Sequence, residues 1–201
     1  MLNCQDVADY FLVLVDREAG DTITQLKLHK LVYFAQGISL ALFNKPLFEN
    51  PIMAWKHGPV VLSLRKKFGA FENNPIPSPA EIDFDLYKPQ EKELIYKVYS
   101  SYGEHSASYL RNLTHKHPIW IEAFNSENNL IDHNKIKEFF KTVIDHNFLL
   151  MSEQDKQNII NAEDEWWMHY DSGVPAEDVH EEILRSIQKL KEEKGFEYKL
   201  V

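Results

Sequence analysis

Histidine is the residue type whose number and spacing here could support chemistry, because nine histidines are present. His115 and His117 stand two residues apart, with His105 upstream and His133 downstream. A metal site needs three or four ligands held at about 2 Å, and residues two apart do not share a helical face. The alternative is that this pair ends a helix, where a protonated histidine interacts favourably with the helix dipole. The spacing favours the helix end, so we predict no metal site and no cofactor.

The stretch AWKHGPVV at 54–61 places Trp55 and His57 ahead of a Gly-Pro pair. Glycine adopts backbone angles closed to other residues, and proline suits the first turn of a helix. The pair therefore fits a hinge between a short strand and a helix, with Trp55 as a packing anchor in that strand. The alternative is that Trp55 and His57 shape a groove with Arg111 and His115. The sequence favours the structural interpretation.

Other catalytic signatures are missing from the sequence. The seven glycines form neither a GxxxxGK nor a GxGxxG phosphate-binding motif, and no GxSxG nucleophile motif occurs. Cys4 is the one cysteine, which excludes an internal disulfide and a zinc site built from cysteines, and fits a reducing compartment. We therefore predict a protein that is not an enzyme. The enzymatic alternative is a metal-dependent hydrolase that assembles His57, His115 and His117 in space.

Charge is distributed unevenly along the 201 residues. The formal net charge is −9, and residues 151–201 contribute most of it, with six Lys and Arg against thirteen Asp and Glu. A chain with few clustered basic residues neutralises few phosphates, so nucleic acid is not an expected partner of this chain on its own. An acidic segment fits a basic protein partner better.

The N-terminal segment does not resemble a secretory signal. Its apolar run FLVLV is short, no basic region precedes it, and Asp6 and Asp9 lie nearby. No apolar stretch approaches the roughly 20 residues that span a bilayer. These features predict a cytoplasmic protein with no membrane partner.

Helical periodicity dominates the sequence and predicts a mainly α fold, with one short β-strand or hairpin near residues 46–57 followed by C-terminal helices. The predicted helices cover residues 5–19, 24–44, 60–68, 89–103, 106–116, 134–146, 152–170 and 175–195. The second begins at a capping Thr24 and is apolar nearly all round in its C-terminal half, which predicts a central buried helix. The predicted domains are a compact helical domain at 1–147 and an acidic helical extension at 148–201.

Two adjacent tryptophans, Trp166 and Trp167, lie among acidic residues in the predicted helix at 152–170. Adjacent helical side chains diverge by about 100°, so both rings do not enter one core. One interpretation is that one ring packs inward and the other lies at a domain junction. The other is that at least one ring anchors a partner, because tryptophan is enriched at interface hot spots. The sequence leaves both interpretations open.

Three stretches together resemble the Panacea domain, a family of bacterial proteins associated with prophages and with toxin–antitoxin systems that includes SocA-like antitoxins. The stretches are ITQLKLHKLVYFAQG at 23–37, PLFENPIMAWKHGPVV at 46–61 and YGEHSASYLRNLTHKHPIW at 102–120. Their order and spacing extend the resemblance over about residues 5–145.

The resemblance assigns structural roles to motif residues in the first two stretches. The first is similar to the family's Lys-Leu-x-Tyr motif, and the second to its Ala-Trp-x-x-Gly-Pro-Val signature. The residues at the structural positions of these motifs are Lys30, Leu31, Tyr33, Gly58 and Pro59. The third stretch departs from the family pattern, in which Pro and Trp are adjacent, because one residue separates them here.

The resemblance implies an antitoxin that neutralises a cognate toxin by direct protein–protein binding, with the toxin encoded nearby. Toxins that act on RNA or ribosomes tend to be basic, which the acidic segment would complement. The alternatives are a protease adaptor, with a protease as second partner, and a phage-associated interaction protein. The side chains expected to contact a partner are Trp55, His57, Arg111, His115, Trp120, Trp166 and Trp167.

Overall fold

The computed structural model describes residues 1–145 and 147–170, so the predicted helix at 175–195 lies outside the described residues. The fold is mainly α, as the sequence predicts. Its helices are α1 Cys4–Val13, α2 Gln25–Phe43, α3 Leu62–Phe68, α4 Pro89–Tyr102, α5 Ala107–Thr114, α6 Pro118–Phe124, α7 His133–Val143 and α8 Glu153–Tyr170. Short 3-10 turns cover Gly69–Phe71 and Phe84–Leu86. Within the described ranges, no helix is both long and apolar enough to cross a membrane.

Helix α2 occupies the centre of the fold, which confirms the prediction of a helix buried on several sides. Thr24 caps its start by accepting a hydrogen bond from the Lys27 N–H, and the left-handed Asn44 (φ 55°) ends it. The helix packs against α1, α4, α5, α7 and a short β-sheet. Because neighbours surround α2, every polar side chain on its buried faces must find a partner inside the protein.

Gln36 shows how α2 meets this requirement. Its side-chain amide donates to the Phe48 carbonyl (2.9 Å), and its oxygen accepts from the Leu47 N–H (2.9 Å). The start of the predicted strand or hairpin region at 46–57 is therefore not a strand, and the first strand begins at Ile52. The backbone there is bound by a helix side chain instead of a strand.

The sheet consists of β1 Ile52–Trp55, β2 Gly58–Val61 and β3 Leu130–Ile131, in the order β2-β1-β3 with antiparallel pairing. The predicted hairpin is thus present, and its second strand is the Gly-Pro segment. The sequence placed Pro59 at the start of a helix, which is wrong because α3 begins at Leu62.

Proline is tolerated in β2 because of the strand register. Pro59 is opposite Ala54, whose N–H donates to Asn129 (2.7 Å) on the other side of β1. The pair therefore exchanges no hydrogen bonds, and the missing N–H of Pro59 removes none from this edge strand.

Helix α1 ends earlier than predicted, at Val13 instead of near residue 19. The guanidinium of Arg17 donates to the carbonyls of Leu12 (2.8 Å) and Val15 (3.2 Å). These bonds satisfy two backbone oxygens that a continuing helix would have paired, which lets the chain leave the helix at this point.

A helix occupies a segment that the sequence assigned to a loop. Pro118 takes the first position of α6, where its missing N–H needs no partner, and His117 precedes it as the capping residue. Helix α6 packs against β1, β3 and α7. The third stretch of the family resemblance is thereby brought beside the second.

Helix α8 packs on α1 and α4. Ser152 and Asp155 cap its start reciprocally, with backbone-to-side-chain bonds of 3.0 and 2.9 Å. The Tyr10 hydroxyl donates to Glu163 (2.6 Å), and Ile159 is buried against the core. The predicted domain boundary at 147/148 stays a prediction.

Candidate functional site

A fully buried lysine lies where the three family-like stretches meet. Lys30 on α2 is 0% exposed, and its Nζ donates a hydrogen bond to the Pro59 carbonyl (3.0 Å). Removal from water lowers the pKa of Lys30 to about 7, and the charge of Arg111 adds to the effect. The amine therefore changes its charge near neutral pH, while its hydrogen bond fixes the hairpin to α2.

The hairpin backbone can lie on this lysine because residue 58 has no side chain. Gly58 has a φ of +96°, and a Cβ there would lie 2.8 Å from Lys30 Cε and 2.8 Å from Thr114 Oγ1. Glycine is thus required both by the backbone angle and by the close approach. The Gly-Pro pair positions a hairpin on α2, and does not join a strand to a helix.

His29 holds the other end of β2. Its Nδ1 accepts from the Val61 N–H at 3.4 Å, while Lys30 binds Pro59 two residues earlier. Burial, followed by the charges of Lys30 and Arg65, lowers the pKa of His29 to about 3, so the ring is a neutral acceptor. Two neighbouring residues of α2 thus fix one short strand from beneath.

Tyr33 and His117 form a second buried polar contact between the first and third stretches. The Tyr33 hydroxyl lies 2.9 Å from His117 Nδ1, and Phe139 and Phe140 pack around the imidazole. Burial lowers the pKa of His117 to about 4 and raises that of Tyr33. The expectation of a protonated histidine at this helix end is therefore wrong for His117, which is neutral near pH 7.

A column of three rings runs from the hairpin along α6. His115 stacks on Trp120 with ring centres 4.1 Å apart, and Trp120 stacks on Phe124 at 5.0 Å. Desolvation and then the charges of Arg111 and other nearby cations lower the pKa of His115. In the described part of the chain, His115 Nε2 and Trp120 Nε1 are buried without a hydrogen-bond partner.

Two of the predicted partner-binding residues lie exposed beside this column. Trp55 is 41% exposed at the end of β1, and His57 is exposed on the turn that follows. The favoured interpretation of Trp55 as a packing anchor is therefore wrong. Arg111 is half-buried, and its guanidinium donates to Asn112 Oδ1 at 3.0 and 3.2 Å. The structure thus brings together Trp55, His57, Arg111, His115 and Trp120 around the hairpin.

The adjacent tryptophans of α8 lie elsewhere. Trp166 is buried, stacks edge-on against Phe84 and donates through Nε1 to the Pro79 carbonyl (3.0 Å). Trp167 is 52% exposed. One ring thus packs inward, as the first of the two interpretations expected. Both belong to the surface formed by α1, α4 and α8 and not to the hairpin site.

The histidines do not assemble a metal site among the described residues. His57 lies exposed on the turn, whereas His117 is buried against Tyr33. Within 1–145 and 147–170, no group of three or more His, Cys, Asp or Glu side chains could hold a metal ion. The hydrolase alternative therefore gains no support from the described geometry.

Sequence reasoning missed the polar contacts beneath the hairpin. The resemblance assigned Lys30 a structural role without a partner, and His29 and Thr114 were not singled out. The available signal was the pattern of α2 itself: a helix apolar on nearly all sides must bury its few polar residues, and each then needs a partner. The identity of those partners depended on the tertiary fold.

The family comparison matches the region that contains this site. The family model described as "Antitoxin SocA-like, Panacea domain" matches residues 28–121, which confirms the resemblance. The comparison with curated proteins gave no match, and neither did the comparison with solved structures. The matched range includes Lys30, the hairpin, His115 and Trp120, and ends before α8.

Proposed function

We propose that this protein is an antitoxin that neutralises a cognate toxin by binding it directly. The family match over residues 28–121 supports an antitoxin-type role. The observation that carries direct binding is the convergence of the three matched stretches on one hairpin, which buried side chains hold from beneath and which presents Trp55 to solvent. A rigid exposed aromatic side chain suits protein recognition.

The test is co-expression with the adjacent open reading frame. The neighbour alone should arrest growth, the pair should grow, and the two proteins should co-purify. A copy of this gene with an early stop codon controls for effects of its RNA. A harmless neighbour that forms no complex would contradict the proposal and favour a phage-associated interaction protein.

The charge of the chain suggests a basic toxin. The C-terminal segment is the most acidic part of the sequence, and opposite net charges accelerate association. In α8, however, Glu163 is already paired with Lys92 (2.8 Å) and Asp155 with Lys97 (3.5 Å). Residues 171–201 add eight Asp and Glu against five Lys and Arg, a formal net charge of −3 that would attract a basic toxin.

Truncation after residue 170 tests this contribution more cleanly than removal of the whole extension. A cut at 150 would also remove Ile159 and Trp166, which are buried against the rest of the fold. The shorter truncation should slow toxin association, most strongly at low salt, while the urea midpoint stays unchanged. An association rate equal to that of the full chain at every salt concentration would refute the role of the acidic segment.

The same co-expression system distinguishes steric neutralisation from protease delivery. If this protein is an adaptor, the half-life of the toxin should fall when it is present and recover in a protease-deficient host. If neutralisation is steric, the toxin should persist in an inactive complex.

A further inference from the structure

One face of the small sheet is apolar and partly exposed, although Val60 on it is buried (6% exposed) and Met53 is half-buried. Met53 is opposite Val60 in β2 and Leu130 in β3, so these three side chains lie in a row on one face. Trp55 is two residues beyond Met53 and shares that face. The opposite face carries Ile52, which is fully buried. We call the first face the outer sheet face; its Trp55 and Leu130 are 41% and 42% exposed.

The turn at the end of this face is positively charged. Lys56 and His57 form the turn, and both are exposed. The pKa of nearby His115 is lowered first by burial and then by the charges of Arg111 and Lys30. The local charge therefore differs in sign from the formal net charge of −9.

We propose that the outer sheet face and its turn are the surface on which the toxin docks, and that they bind a toxin segment carrying an apolar side chain next to a carboxylate. This inference rests on the proposed antitoxin function. Trp55 supplies a large, rigid contact surface for the apolar side chain. Lys56 and Arg111 supply charge-assisted hydrogen bonds for the carboxylate.

A basic toxin can still present such a segment. Attraction at long range depends on net charge and is screened within about 8 Å at physiological salt, whereas docking depends on the groups in contact. The acidic segment after residue 170 and the cationic turn would therefore act at different stages. The first affects the association rate, and the second affects the lifetime of the complex.

Buried contacts to the hairpin backbone fix the outer sheet face before a partner binds. Lys30 and His29 hold Pro59 and Val61, and Gly58 lets the turn lie directly on α2. A surface fixed before binding loses little conformational entropy when the partner arrives, so more of the contact energy appears as affinity.

Substitutions on the outer sheet face test the docking site, with the purified toxin as the probe. Trp55→Ala should raise the Kd at least about 30-fold, the size of a hot-spot effect. Lys56→Glu should raise it about tenfold, less at high salt, because it reverses a charge that the carboxylate needs. Lys56→Glu changes an exposed side chain, so its urea midpoint should match that of the wild type. Trp55 is 41% exposed, so Trp55→Ala also removes covered apolar surface and should lower the urea midpoint. Both Kd values are therefore measured under conditions in which urea denaturation shows the variants to be folded.

Two control substitutions make a similar kind of change elsewhere: one truncates an exposed apolar side chain to alanine and the other reverses an exposed charge. Val143→Ala removes apolar surface from a side chain that is 54% exposed on α7. Lys45→Glu reverses an exposed charge just beyond the C-terminal end of α2, about 20 Å from Lys30 at the rise of a helix. Each control should change the Kd less than about threefold, the usual range for a surface substitution away from a site.

The possible outcomes distinguish a failure of the proposed docking site from a failure of the proposed function. A wild-type protein that does not bind the toxin defeats the proposed function itself. Wild-type affinity in both Trp55→Ala and Lys56→Glu defeats the docking site and leaves the function standing. If Trp55→Ala instead turns a dimer into a monomer in sedimentation and leaves the toxin Kd unchanged, the face joins copies of this chain and the proposal is wrong.

Discussion

Replacing Lys30 with methionine is expected to remove a pH dependence from the stability of this fold. Burial lowers the pKa of Lys30 from its ordinary value of 10.5 to about 7. Between these two values the unfolded chain holds a proton that the folded protein has released, so the free energy of unfolding rises with pH across that window. Below pH 7 both states are protonated, and the destabilisation by the buried ammonium is complete.

The magnitude follows from the size of the shift. Each pKa unit corresponds to about 1.4 kcal/mol, so the buried ammonium destabilises the fold by about 5 kcal/mol at low pH. Between pH 6 and pH 9 this cost falls by about 2 to 3 kcal/mol. Methionine has a similar volume and no charge, and it loses only the hydrogen bond to Pro59, at about 1 kcal/mol independent of pH.

Urea denaturation followed by tryptophan fluorescence, at pH 6, 7.5 and 9, measures the effect. At each pH, the free energy of unfolding of Lys30→Met is subtracted from that of the wild type, which cancels the contributions of the other titrating groups. This difference in free energy should increase by about 2 to 3 kcal/mol between pH 6 and pH 9, because the wild type gains stability as Lys30 loses its proton. A difference that stays constant within the error of the measurement would show that Lys30 is solvated or paired with an anion, and the description of the site would be refuted.

Three further substitutions test other contacts. Gly58→Ala should destabilise the fold by about 2 to 4 kcal/mol in urea denaturation, because it combines a strained φ with a clash against Lys30. Tyr33→Phe should cost about 1 to 3 kcal/mol, because it leaves the buried Nδ1 of His117 unpaired, whereas Tyr109→Phe at an exposed position should be neutral. Trp166→Ala should lower the free energy of unfolding by about 3 to 5 kcal/mol by opening a cavity beneath α8; an unchanged urea midpoint would mean that α8 does not pack there.

The sequence predicted the parts of this fold that depend on local patterns. The apolar surround of α2 and its Thr24 cap both appear as expected, because periodicity and capping chemistry act within a few residues. The incorrect predictions concern segments whose local structure is determined by contacts outside the local sequence pattern. Arg17 ends α1 early by binding the carbonyl of Leu12, an effect that helix propensity does not include.

The hairpin shows the same division at the candidate site. Gly-Pro before two valines is compatible with the start of a helix, and local rules favour that assignment. The segment becomes a strand because β1 pairs with it and because Lys30 and His29 bind its backbone from α2. Residues about 30 positions apart therefore determine its conformation, and no pattern within the segment contains that information.

Burial divides the motif residues of the three stretches into two groups. Lys30, Leu31, Tyr33 and Gly58 are buried. Lys30 and Gly58 hold the hairpin on α2, Tyr33 binds His117, and Leu31 is part of the hydrophobic core. Trp55 belongs to the same family signature, yet it is 41% exposed, so packing within this chain covers only part of the ring. The covered part contributes to stability, whereas the exposed part contributes little. A partner that covers the exposed part would account for it, so Trp55→Ala should weaken the complex even where urea denaturation shows that the variant is folded.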